Sequence, residues 1–209
     1  PGVADRLAAA WLSAVRSRDP AAASAGFTAE AVGVLGEPAD GDLVRLGREL
    51  VAALAADPAA PRCPVTVGIS RVVEGVAALP DAYEQARTAV RVGRQLHGPG
   101  GVAHFDGLGV YRLLGLVPDG AELRTFATET LGELADPTDP DAEDLRRTLQ
   151  VLLETNLNVA ETARRLHFHY NTLRYRIGKL ERIVGPFTVD PHLRLSLSLA
   201  LLVVQMRGV

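Results

Sequence analysis

The chain has 209 residues, 47% of them hydrophobic and 22% charged, with a formal net charge of −3. That balance excludes a disordered tail and leaves room for one large or two ordinary domains. The single cysteine, Cys63, excludes an internal disulfide framework and fits a reducing cytoplasm. It is expected to be a small, semi-buried side chain rather than a nucleophile. Residues 8–14 lack the basic lead and cleavage pattern of a secretory signal. The apolar run at 197–204 falls far short of the about 20 residues that cross a bilayer, so no membrane association is expected. Pro1 in place of a starting Met points to a fragment or a processed chain.

Leu7, Trp11 and Val15 recur at helical spacing and predict an amphipathic helix over 4–17, ended near Asp19-Pro20, with Trp11 in the core. Residues 22–27 and 31–35 suggest two short strands around a turn, although alanine is a poor strand former. A second helix spans 41–56, with Leu43, Leu46, Leu50 and Leu54 on one face, and Asp57-Pro58 breaks it. Residues 65–70, Val-Thr-Val-Gly-Ile-Ser, form the clearest strand. A helix over 80–96 follows, opened by Pro80-Asp81 and closed by His97-Gly98-Pro99-Gly100. Tyr83, Glu84 and Arg87 make a solvated face of it with one anchoring aromatic. Residues 102–105 are a last strand, and this order predicts helices covering one small sheet.

Residues 108–116 turn helical, and Val117-Pro118-Asp119 opens a further helix carrying Leu123, Phe126, Thr130 and Leu134. An acidic, proline-rich connector at 136–141 precedes a helix over 142–154 with Leu145, Leu149 and Leu152 on one face. Then Asn158 and Glu161 form a capping pair for a short helix whose Val159, Ala163 and Leu166 share a face. Phe168 plugs the corner, and His167 occupies a position where glycine often supplies a left-handed residue. The next helix buries Leu173, Ile177, Leu180 and Val184. Two helices joined in this way make a helix-turn-helix over 158–184. The last segment alternates like a strand at 193–199. Asp190-Pro191 and the shared face of Leu193, Leu197, Ala200, Leu201 and Val204 favour a helix. That face either closes the core of its own domain or forms an interface.

With the leucines turned inward, His169, Tyr170, Asn171, Thr172, Arg174 and Tyr175 face out at the start of the second helix, flanked by Arg176 and Lys179. These types suit DNA: Arg bonds guanine, Asn bonds adenine, and Thr, Tyr and Lys reach phosphates. Between 164 and 182 six basic residues oppose only Glu181, a local charge of +5, so the rest of the chain carries −8. A basic stripe on an acidic chain is the footprint of a DNA reader.

The run Asn158-x-x-x-x-Ala163-x-x-Leu166 and then 169–177, His-Tyr-Asn-Thr-Leu-Arg-Tyr-Arg-Ile, resembles the C-terminal helix-turn-helix of PucR/CdaR-type bacterial transcriptional regulators. The family's run is usually His-Arg-Asn-Thr-Leu-Arg-Tyr-Arg, and Tyr170 stands here in place of its arginine. The Fis-type motif shares a shorter Asn-Thr-Leu version. Residues 65–70, 82–90 and 102–109 resemble the degenerate GGDEF-like domain that precedes this helix-turn-helix, over roughly 30–110. The resemblance implies an α+β fold: a small α/β sandwich resembling a degenerate GGDEF domain at 1–115, followed by an all-α helix-turn-helix domain at 116–209. It also implies a cytoplasmic, sequence-specific regulator of transcription, controlled through its N-terminal region. The partners are double-stranded DNA, a second copy in a homodimer, and a small-molecule effector acting through a region absent from this chain.

No catalytic, cofactor or metal site is expected. A cyclic-dinucleotide synthase of that fold needs a Gly-Gly-(Asp/Glu)-(Asp/Glu)-Phe hairpin, whereas Gly100-Gly101 leads into Val102-Ala103. His167 and His169 lack further ligands at metal spacing and are expected to cap or face phosphates. The rival reading is a ligand or nucleotide sensor whose helical domain docks a protein.

Overall fold

The computed structural model describes residues 2–28, 30–117 and 120–206 and divides the chain into two compact units, 1–115 and 116–209. Pro118 and Asp119, expected to open a helix, lie outside the described residues. The result is mixed α and β in the first unit and helical in the second. No described helix is long and apolar enough to cross a membrane.

In the first unit, α1 (Val3–Arg18) buries Trp11, Ala14 and Val15 and stops at Asp19. The Asp19 carboxylate accepts from the N–H groups of Ala21 and Gly36, each at 2.9 Å, and these bonds hold its pKa below the ordinary value. The strands β1 (Ala23–Gly26) and β2 (Ala31–Val34) pair antiparallel, Ala23 opposite Val34. Helix α2 (Leu43–Ala56) is capped by Asp42, which accepts from the Arg45 N–H at 2.8 Å. The strands β3 (Thr66–Ile69) and β4 (Gly101–His104) pair in parallel, joined through α3 (Leu79–His97).

The single small sheet expected from the sequence is instead two separate two-stranded sheets. Small residues let the β1–β2 ribbon lie flat on α1: a Cβ added at Gly26 would fall 2.6 Å from that of Ala8. The β3–β4 pair lies between helices. Added Cβ atoms at Gly47 of α2 and Gly93 of α3 would fall 2.7 Å from Val102 and Ala103 on its two faces, and one at Gly68 only 2.1 Å from the Ala86 carbonyl. Such approaches need bare backbone. Tyr83 donates to Glu30, with the Arg87 guanidinium over its ring at 5.6 Å. Cys63 is exposed rather than semi-buried, because it sits in the loop between α2 and β3. The unit closes with α4 (Tyr111–Leu114).

In the second unit, α5 (Gly120–Leu131) ends at Gly132, whose φ is 55°. Leu134, expected on the same helix, is therefore buried from a separate 3-10 turn, Gly132–Ala135. Then follow α6 (Pro140–Glu154), α7 (Val159–Leu166), α8 (Tyr170–Val184) and α9 (Pro191–Gln205). Asp139 and Asp190 cap α6 and α9 just ahead of Pro140 and Pro191. Leu197, Ala200, Leu201 and Val203 of α9 are buried, and the helix packs on α5 and α6. Val204, expected on this face, is 42% exposed and points away. The apolar face of α9 is thus core of its own unit, because α5 and α6 already cover it.

Candidate nucleic-acid interface

Helices α6 and α7 end by the same device. At the end of α6, Leu157 N–H donates to the Leu152 carbonyl at 2.8 Å and Asn156 N–H to Leu153 at 3.0 Å, with φ of 64° and 50° at those two residues. At the end of α7, Phe168 N–H donates to Ala163 at 2.9 Å and His167 N–H to Arg164 at 3.3 Å, with His167 left-handed at φ 56°. Both are Schellman stops, which satisfy helix carbonyls that would otherwise lack donors. Between them, Asn158 Oδ1 accepts from the Glu161 N–H at 3.0 Å and starts α7. The Thr162 hydroxyl bonds the Asn158 carbonyl at 2.8 Å and lies 2.6 Å from that of Thr155. Helix α8 begins where His169 Nδ1 accepts from the Asn171 N–H at 3.4 Å. Buried Ala163 and Leu173 let the two helices close.

This corner presents the first turns of α8 outward. Tyr170 is 48% and Tyr175 68% exposed, and Asn171, Thr172, Arg174 and His169 are exposed beside them. Lys179 is half-buried. Arg174 and Lys179 make no ion pair among the described residues.

Arg176 does not join them. Its side chain is only 22% exposed, and its guanidinium lies 2.5 Å from Asp144, 3.1 Å from the Thr148 hydroxyl and 4.5 Å above the Phe168 ring. Helical phase explains the correction: Arg176 follows Leu173 by three positions and precedes Leu180 by four, which puts it on the buried face. Arg164 and Arg165 are also committed, because both pair with Glu161 and Arg165 approaches Glu154 at 3.9 Å. The hydrogen bond from Arg165 and the charge of Arg164 hold the Glu161 carboxyl below its ordinary pKa.

Arg182, counted in the basic stripe but not among the candidate contacts, is exposed on the stripe of Asn171, Tyr175 and Gly178 and forms no ion pair among the described residues. Its signal was the same phase, counted one turn further. Asp144 and Thr148 could not be found that way, because they come from α6 through tertiary packing. Among the described residues, no three His, Cys, Asp or Glu side chains gather as metal ligands. His169 is used as a helix cap.

Residues 145–203 match the PucR C-terminal helix-turn-helix domain, and residues 1–92 match the GGDEF-like domain. The second match takes in α1 and stops within α3, so it begins before the roughly 30–110 stretch that carries the resemblance and ends short of it. The purine catabolism regulatory protein of Bacillus subtilis is 35% identical over 137 residues, 66% of this chain and 25% of that protein. The uncharacterized protein YsfB of the same organism is 29% identical over 118 residues, 56% of this chain and 29% of its own. The chain therefore spans less than a third of the length of these relatives. A solved structure, the regulator of polyketide synthase expression from Bifidobacterium adolescentis, aligns with 100% of this chain and 81% of that one, at 23% identity and a TM-score of 0.37. The chain thus joins a GGDEF-like domain to a PucR C-terminal helix-turn-helix domain.

Proposed function

We propose that the second unit binds double-stranded DNA sequence-specifically, with α8 in the major groove. The observation that carries this reading is the division of the basic residues. Arg164, Arg165 and Arg176 are neutralised by carboxylates of their own unit, whereas Arg174, Lys179 and Arg182 are left on the outward side of one helix. Unpaired cations beside exposed Asn and Tyr side chains are of little use to the fold and suit a polyanion with readable base edges. Asn171 and Arg174 then reach bases. Tyr170, Thr172, Tyr175, Lys179 and Arg182 reach the sugar-phosphate walls, and His169 fixes where the helix begins. The first unit serves regulation or assembly in the cytoplasm and carries out no catalysis of its own.

The test is a salt titration of binding to a random-sequence duplex. Affinity should fall steeply with salt, because each phosphate contact releases counterions. Absence of binding at low salt, or binding that salt leaves unchanged, would overturn the reading.

A further inference from the structure

Three glycines lie in the interior of helices among the described residues, and two have an evident reason. Gly47 and Gly93 each let a helix press on a sheet, where an added Cβ would fall 2.7 Å from a neighbour. Gly178, in the third turn of α8, is different. An added Cβ there would meet nothing within 4 Å, and its φ is not in the left-handed region. Neither packing among the described residues nor backbone conformation calls for glycine, which weakens a helix interior relative to alanine through its greater freedom when unfolded.

The place of Gly178 on the helix supplies a reason. It follows Arg174 and Tyr175 by four and three positions and precedes Arg182 by four, so it sits mid-stripe on the open face of α8. Resting on the DNA reading above, we infer that Gly178 is a positioning residue of the interface: its bare Cα lets one wall of the groove approach α8 by a methyl's width and so sets how deeply the helix is seated. Gly47 and Gly93 do the same inside the protein, and at Gly178 the close neighbour is the sugar-phosphate backbone or a base edge. Side chains at 174, 175 and 182 then reach the DNA from both sides of this low point.

The experiment compares the full chain with Gly178→Ala and Gly178→Leu by thermal melting and by fluorescence anisotropy on a selected duplex and a random one. Gly178→Ala should melt a few degrees higher than the parent, since alanine suits a helix and nothing is displaced. It should nevertheless bind the selected duplex about tenfold more weakly. The salt slope should be unchanged, because no cation is removed. Gly178→Leu should bind more weakly still while remaining folded. Unchanged affinity in Gly178→Ala would overturn the inference. So would a lowered melting temperature, which would place the need for glycine inside the chain. Failure of the DNA reading is recognised separately, because the parent chain would then bind neither duplex.

Discussion

Arg174 and Arg176 are two positions apart and do opposite work. Arg174 is exposed, while Arg176 ties α8 to α6 through Asp144 and Thr148 and covers the Phe168 ring. Arg174→Ala should therefore leave the melting temperature unchanged, cost about 1–3 kcal/mol on a selected duplex and relax its sequence preference. Lys179→Ala should weaken all DNA alike and lower the salt slope. Equal losses on selected and random DNA for Arg174→Ala would contradict its base-reading role. Arg176→Ala should instead destabilise the second unit by about 1–2 kcal/mol, since it strips charged hydrogen bonds from a half-buried site next to an exposed carboxylate. Its affinity measured well below the melting point should stay near that of the parent. A large loss of affinity with unchanged stability would return Arg176 to the interface. His167 tests the corner differently. A side chain held left-handed at φ 56° is strained. His167→Gly should therefore raise stability by about 0.5–1 kcal/mol, glycine's larger unfolded-state freedom offsetting part of the relief. A drop in melting temperature would show that the imidazole supports the corner by contacts of its own.

At the scale of elements, two packing arrangements set the fold. Where α3 lies on β3, an added Cβ at Gly68 would come 2.1 Å from the Ala86 carbonyl, so Gly68→Ala must push the helix off the sheet. A loss of about 1–3 kcal/mol is expected, read as a lower melting temperature of the first unit. An unchanged melt would mean that α3 can shift without cost. In the second unit Leu197 is fully buried under α5 and α6. Leu197→Glu should consequently unfold it, and a folded variant that merely changes assembly would reassign the α9 face to an interface. These elements were unequally visible in the sequence. Helix α9 was legible because its Asp190-Pro191 cap and its apolar period agree, and α2 and α6 were legible by their leucine faces, although Asp139 and Pro140, which open α6, read as part of a connector. The short strands were located by their turn residues, but their pairing was hidden: four-residue runs rich in Ala, Gly and Val do not say which neighbour they join. Among the candidate residues, all but Arg176 emerge on or beside the outward face. That arginine has the residue type of a DNA contact, but its phase, three positions after Leu173 and four before Leu180, turns it toward α6.

For the whole molecule, the balance of charge and symmetry matters most. A single helix-turn-helix contacts about one half-site, so a regulator gains useful affinity by pairing two copies on a repeated site. We expect a homodimer, and with the α9 face covered within its own unit the strand edges of the first unit are the candidate surface for pairing. If α8 reads a sequence, selection from a randomised duplex pool by the full chain will reveal it. One short motif should be enriched, repeated at a spacing near a whole number of turns of about 10.5 base pairs, and that preference should be lost when the selection is repeated with Arg174→Ala. A pool that stays random after repeated rounds, or an enriched motif that Arg174→Ala selects equally well, would contradict it.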